Sequence, residues 1–127
     1  MPATANTTGY KAFPCSTAIS AYLRVLINSS GSAVVASNTA RGNGVTWADN
    51  NGDGSIPDVN VRLNTAPGTC IGVLTAAPST VGDILYAGTL GTVSPTGTVI
   101  VGINQNVLTI GQTSNGALVE YLVQATA

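Results

Sequence analysis

Val59-Asn60-Val61-Arg62-Leu63-Asn64 alternates apolar and polar side chains at every step. A period of two puts Val59, Val61 and Leu63 on one face of a strand and Asn60, Arg62 and Asn64 on the other. The same period runs outward from this stretch in both directions. Ile19, Ala21, Leu23, Val25 and Ile27 share a face, with Ser20, Tyr22, Arg24 and Asn28 mostly opposite. Near the other end Val119, Tyr121 and Val123 share a face, and Glu120 lies between them as a solvated position. Shorter apolar runs at 33–36, 70–74, 84–87 and 98–103 read as strands buried on both faces or packed inside a barrel.

Between these runs stand turn signals: Asn28-Ser29-Ser30-Gly31, Arg41-Gly42-Asn43-Gly44, Ala66-Pro67-Gly68, Ser94-Pro95-Thr96-Gly97 and Ser114-Asn115-Gly116. Glu, Lys, Gln and Met, the strong helix formers, are scarce, whereas Gly occurs 15 times and Pro six. Many short strands at this spacing predict an all-β protein, a small β-barrel or β-sandwich of short antiparallel strands. Residues 1–17 show no period and read as an extended N-terminal arm ordered by a partner, ahead of a single β domain over 18–127. A faint internal repeat also shows. The strand–Gly31–strand of 22–34 resembles the strand–Gly91–strand of 83–93, and 67–73 echoes 96–103. Two related β-units packed into one barrel would account for both echoes.

The chain has 127 residues, of which only 7% are charged, for a net charge of −1. An average globular protein has about 25% charged residues. Such a surface relies on Thr, Ser, Asn and backbone for solubility, and near-zero net charge favours association. The four basic residues, Lys11, Arg24, Arg41 and Arg62, are scattered, which argues against nucleic-acid binding. No apolar run approaches the ~18 residues of a spanning helix, and the first residues have no basic-then-apolar leader, so neither a membrane nor a secretory route is expected. Cys15 and Cys70 read as small buried apolar groups in a protein made in the cytoplasm, with a Cys15–Cys70 bridge as the alternative.

Catalysis is not expected. The chain has no His, so neither a Ser-His-Asp nor a Cys-His site can be assembled from it. Asp49, Asn51 and Asp53, followed by Gly54, match the front half of a calcium loop. Asn60 stands where the loop needs a bidentate Glu, with Asp58 as the nearest substitute. The stretch therefore reads first as a polar surface turn and second as a calcium site. No other cofactor is implied. Tyr10, Phe13 and Pro14 in the arm are the expected partner contacts, although Tyr10 and Phe13 could equally fold back on the protein's own barrel. Trp47, the only Trp, is either such an anchor or a plug at the end of the barrel.

The second half carries a resemblance. Cys70-Ile71-Gly72-Val73-Leu74, Val81-Gly82-Asp83-Ile84-Leu85-Tyr86-Ala87, Gly91-Thr92-Val93-Ser94-Pro95-Thr96-Gly97, Ile100-Val101-Gly102-Ile103 and Gly116-Ala117-Leu118-Val119-Glu120-Tyr121-Leu122 follow one another. This succession resembles the phage capsid cement (head decoration) proteins. It covers residues 70–123, with a weaker echo over 18–45, and departs from the pattern between 43 and 64. The resemblance implies a non-enzymatic virion structural protein that binds the major capsid protein on the outer surface of the assembled head. It also implies a homo-oligomer, with a trimer as the expected state. The alternatives are a phage tail tube or fibre subunit and a cell-surface or glycan-binding β-module.

Overall fold

The computed structural model describes residues 8–47, 58–75, 81–105 and 118–123. Among them lie ten strands: β1 (Tyr10–Pro14), β2 (Arg24–Ile27), β3 (Ala33–Val35), β4 (Gly44–Thr46), β5 (Asp58–Leu63), β6 (Cys70–Val73), β7 (Ile84–Ala87), β8 (Val93–Ser94), β9 (Ile100–Asn104) and β10 (Leu118–Val123). A single 3-10 turn, Thr89–Gly91, is the only helical element among the described residues. The protein is all-β, as the alternation predicts.

The strands form two antiparallel sheets of five, in the orders β1-β5-β4-β2-β3 and β6-β10-β9-β7-β8. These two orders are one topology used twice, with each strand of the first sheet answered by the strand five places later. β2 and β7 are in step at both ends (24 to 84, 27 to 87, a step of 60). The correspondence extends to hydrogen bonds. Tyr22 N–H donates to the Thr46 carbonyl and Gly82 N–H to the Asn104 carbonyl, while Asn28 N–H donates to Ser32 and Gly88 N–H to Thr92. It extends to backbone conformation as well: Gly31 and Gly91 both take left-handed φ, at 83° and 77°, in the turn that enters the third strand of each unit.

The internal repeat suspected from 22–34 and 83–93 is therefore a duplicated β-unit. The second echo, 67–73 with 96–103, has no structural counterpart, because β6 occupies the place of β1 and not of β9. In the second sheet Leu74 forms a parallel bridge with Val93, so the sheet curls until its two edges meet.

Each unit fills its own inner face. In the first, Cys15, Ile19, Val25, Ala33, Val59 and Val61 form one cluster. In the second, Cys70, Leu74, Leu85, Ala87, Val93, Val101, Val119 and Tyr121 form another, which Val45 of the first unit joins. Cross-strand partners share a face, so the pairs Tyr10–Arg62, Arg62–Val45 and Val45–Arg24 place these four residues in one row on the outer face of the first sheet. Within that row Arg24, Val45 and Arg62 are buried against the second unit.

The structure decides what covers each face. Arg24 and Arg62, on the face opposite the apolar one, are buried, because the outer face of their sheet is covered by the second unit. Arg24 instead donates to five backbone carbonyls, those of Ser37, Ala40, Arg41, Gly88 and Thr92. Arg62 donates to those of Leu63, Ala66, Pro67 and Gly68. The strand read over 19–28 shortens to β2, because Tyr22 adopts a left-handed φ of 67° and ends the alternation. Within the stretch read as an N-terminal arm, residues 10–14 form β1, paired in register with β5 from Tyr10↔Arg62 to Pro14↔Asp58. Of the two readings of the apolar runs at 84–87 and 98–103, burial on both faces does not hold, since Ile84 and Ile100 are exposed, and the strands instead line a sheet that curls like a half-barrel.

Gly44 and Gly102 hold the same place in the two units, each on the strand beside the unit's last. A Cβ on Gly44 would overlap the Arg62 carbonyl oxygen and the Val61 side chain, and one on Gly102 the Leu122 carbonyl oxygen and the Tyr121 ring. Gly44→Ala and Gly102→Ala should each destabilise the protein by about 1–3 kcal/mol, read as a lowered urea midpoint. A large effect at only one site would contradict their equivalence.

Neither Cys15 nor Cys70 is in a disulfide, and both are buried. Burial pushes the Cys70 thiol up, offset in part by its neighbours Tyr121 and Arg62. Burial, and then the Asp58 charge, pushes the Cys15 thiol up. Burial also holds the Tyr121 hydroxyl well above the usual phenol range. In the unfolded chain thiols ionise near pH 8.5. Groups held protonated in the fold contribute stability that is complete below that value and lost as pH rises through it. Urea midpoints should hold steady from about pH 6 to 8 and fall above about pH 8.5. Cys70→Ala should reduce that fall.

Candidate partner-binding surface

Among the described residues β1 is an edge strand, paired with β5. An open edge invites a foreign strand, and Lys11 and Pro14 on this one are residue types that discourage it. The register decides where the arm's side chains go. Phe13 lies opposite Val59 and is half-buried against the first unit's cluster. Lys11 Nζ stands 5.3 Å from the centroid of the Phe13 ring. Tyr10 lies opposite Arg62, on the other face, where the two units meet. Pro14 ends β1, exposed, opposite Asp58.

Trp47 follows β4 directly. Its backbone N–H donates to the Asn60 carbonyl at 2.8 Å, and the preceding Thr46 is anchored through its hydroxyl to the Ser20 carbonyl at 2.7 Å. The backbone is thus fixed while the indole stays 52% exposed. The Tyr10 and Trp47 rings meet edge to face, with centroids 5.4 Å apart and planes at 76°. This is the favoured geometry for an aromatic pair.

Between these rings and the second sheet runs a groove of about 320 Å³, lined further by Thr69, Ile71, Leu118 and Glu120. Its only charged side chain among the described residues is Glu120, which accepts a hydrogen bond from the Thr69 hydroxyl. The groove is wide open and mixed in character: two aromatic edges, two aliphatic side chains and one carboxylate. Such a surface suits a protein segment or a sugar better than a buried small molecule.

Of the four residues singled out for partner contact, the fold brings Tyr10 and Trp47 together at this groove, turns Phe13 into the core and leaves Pro14 at the end of an edge strand. Asp49, Asn51 and Asp53 of the calcium-like stretch lie outside the described residues. Asp58 opens β5 opposite Pro14. Among the described residues no three acidic, Cys or His side chains cluster as metal ligands do. Thr69, Ile71 and Leu118 carried no local signal, because they become neighbours of Trp47 only when the two units pack together.

The chain matches no known protein family, and it has no significant match among curated proteins.

An exposed indole emits at long wavelength and is open to collisional quenchers. Trp47 fluorescence should be readily quenched by acrylamide, to a degree between a buried indole and free indole. Trp47→Ala should change stability by less than about 1 kcal/mol, as measured by urea unfolding. A strongly blue-shifted, protected indole would contradict this geometry.

Proposed function

We propose that this chain is a virion structural protein that binds the outer surface of an assembled phage capsid and stabilises the shell as a cement protein. After synthesis in the host cytoplasm it takes its place on the capsid surface, with the major capsid protein as its partner. The observation that carries this reading is the exposed Tyr10–Trp47 pair at the rim of an open groove, on a chain with only 7% charged residues. Aromatic side chains fixed by a rigid scaffold are the usual anchors of protein interfaces, and a surface with few charges loses little hydration when it docks. The resemblance over residues 70–123 points the same way. The duplicated β-unit gives such a protein two rigid sheets with which to span neighbouring capsid subunits.

A second reading, a glycan-binding β-module, is favoured by one feature of the same groove: an exposed indole next to a carboxylate and a hydroxyl, those of Glu120 and Thr69. Sugars stack on aromatic faces and hydrogen-bond to such polar groups.

Co-sedimentation with expanded phage heads lacking the protein tests the first reading. Binding should saturate at a fixed ratio to the major capsid protein, and the decorated heads should resist heat better. Tyr10→Ala combined with Trp47→Ala should weaken attachment by about 2 kcal/mol, roughly 30-fold. Absence of head binding, with Trp47 fluorescence shifting on addition of oligosaccharides instead, would transfer the groove to the second reading.

A further inference from the structure

The groove beside Trp47 carries charge of one sign. Glu120 lies on the outer face of β10, between the exposed Leu118 and Leu122, with Ile71 as its cross-strand neighbour. The Thr69 hydroxyl donates to its carboxylate and ties it to the groove wall. All four basic side chains of the chain lie among the described residues, and none of them lines the groove. Arg24 and Arg62 are buried and donate to backbone carbonyls. Lys11 stands over the Phe13 ring, and Arg41 lies between β3 and β4. The second sheet supplies no cation either. Where the outer row of the first sheet carries Arg62, Val45 and Arg24, the matching row of the second carries Leu122, Ile103 and Ile84.

The rim of the groove is aromatic, with Tyr10 40% and Trp47 52% exposed. Their edge-to-face contact uses the edge of one ring and one face of the other, so ring faces remain for a ligand. A ring face is negative and attracts a cation lying within about 6 Å of its centroid. We propose that the groove is a receptor for a cationic side chain, an Arg or Lys presented on a protruding segment of the partner protein. Its charge pairs with Glu120 and its stem packs on Tyr10 and Trp47. The proposal rests on the reading of the groove as a partner-binding surface and names the chemistry the partner brings. Charge complementarity selects this occupant. An acidic segment would meet Glu120 and find no cation in the groove. An aliphatic one would strip water from the carboxylate and offer no donor in exchange. Arg suits the site better than Lys, because a planar guanidinium stacks on a ring while it donates to a carboxylate. A groove of about 320 Å³ has room for one long side chain and part of its backbone.

Blocked pentapeptides with Arg, Lys, Gln or Glu set among glycines, titrated into the full chain, test this. Trp47 fluorescence and the amide spectrum of isotope-labelled protein read the binding. The Arg peptide should saturate with a midpoint of about 1–10 mM and the Lys peptide several-fold higher, whereas the Gln and Glu peptides should not saturate. Glu120→Gln should raise the Arg midpoint at least about fivefold, as should a rise in salt from about 50 to 500 mM. Tyr10→Leu should raise it about threefold and leaves Trp47 as the reporter. The same amide spectra show that both variants are folded. A Gln peptide that binds as the Arg peptide does overturns the proposal. So does an unchanged midpoint in Glu120→Gln, and so does saturation by neutral oligosaccharides alone. Phage heads separate the two levels of the argument. Heads that take up wild type and Glu120→Gln alike overturn the cation site and leave the capsid reading standing. An Arg peptide that saturates the groove of a chain that binds no heads supports the cation site and overturns the capsid reading.

Discussion

The outer row of the first sheet, Arg62–Val45–Arg24, is the contact on which the architecture rests. Val45 enters the apolar cluster of the second unit, and the two guanidiniums lie beside it, near Tyr121. A guanidinium taken out of water needs acceptors, and burial lowers the Arg24 pKa for that reason. Its carbonyl partners come from 37–41 in the first unit and from Gly88 and Thr92 in the second. One side chain thereby ties two loops and both units together. Arg has the five donors this requires, whereas Lys, with three donors at a single nitrogen, would leave carbonyls unpaired.

Packing by that row also sets the functional geometry. Tyr10 stands at the end of the same row and emerges where the units meet, so the groove beside Trp47 exists only because the first sheet is seated on the second. Leu118 lines the groove and also belongs to the outer face of β10, which makes the groove and the open apolar face contiguous.

Duplication explains why the two units look so different in composition. Strand order, the glycine before the third strand and the glycine of close approach are retained, because the backbone demands them. Side chains on the outer row have diverged according to what covers them. Val61 and Tyr121 occupy equivalent core positions with different volumes, and Gly72 accommodates the larger ring: a Cβ there would come within 2.9 Å of Tyr121 Cε1. The buried Tyr121 hydroxyl finds no hydrogen-bond partner of normal geometry among the described residues, with the Cys70 thiol as a weak polar neighbour.

The sequence by itself determined the all-β class, the positions of β5, β6, β7 and β10, the glycine-centred turns and the repeat around Gly31 and Gly91. Period-two alternation and turn chemistry are local properties, legible within a few residues. It also singled out Tyr10 and Trp47 as aromatics in search of a contact. Only the tertiary structure decided that Arg24 and Arg62 are buried, that Tyr10–Pro14 belong to a sheet and that Tyr10 meets Trp47. It also decided that the apolar runs of β7 and β9 leave one face open. Alternation shows that a strand has two faces, but not which of them another layer covers. That choice depends on contacts between residues some sixty positions apart, made when one β-unit docks on the other.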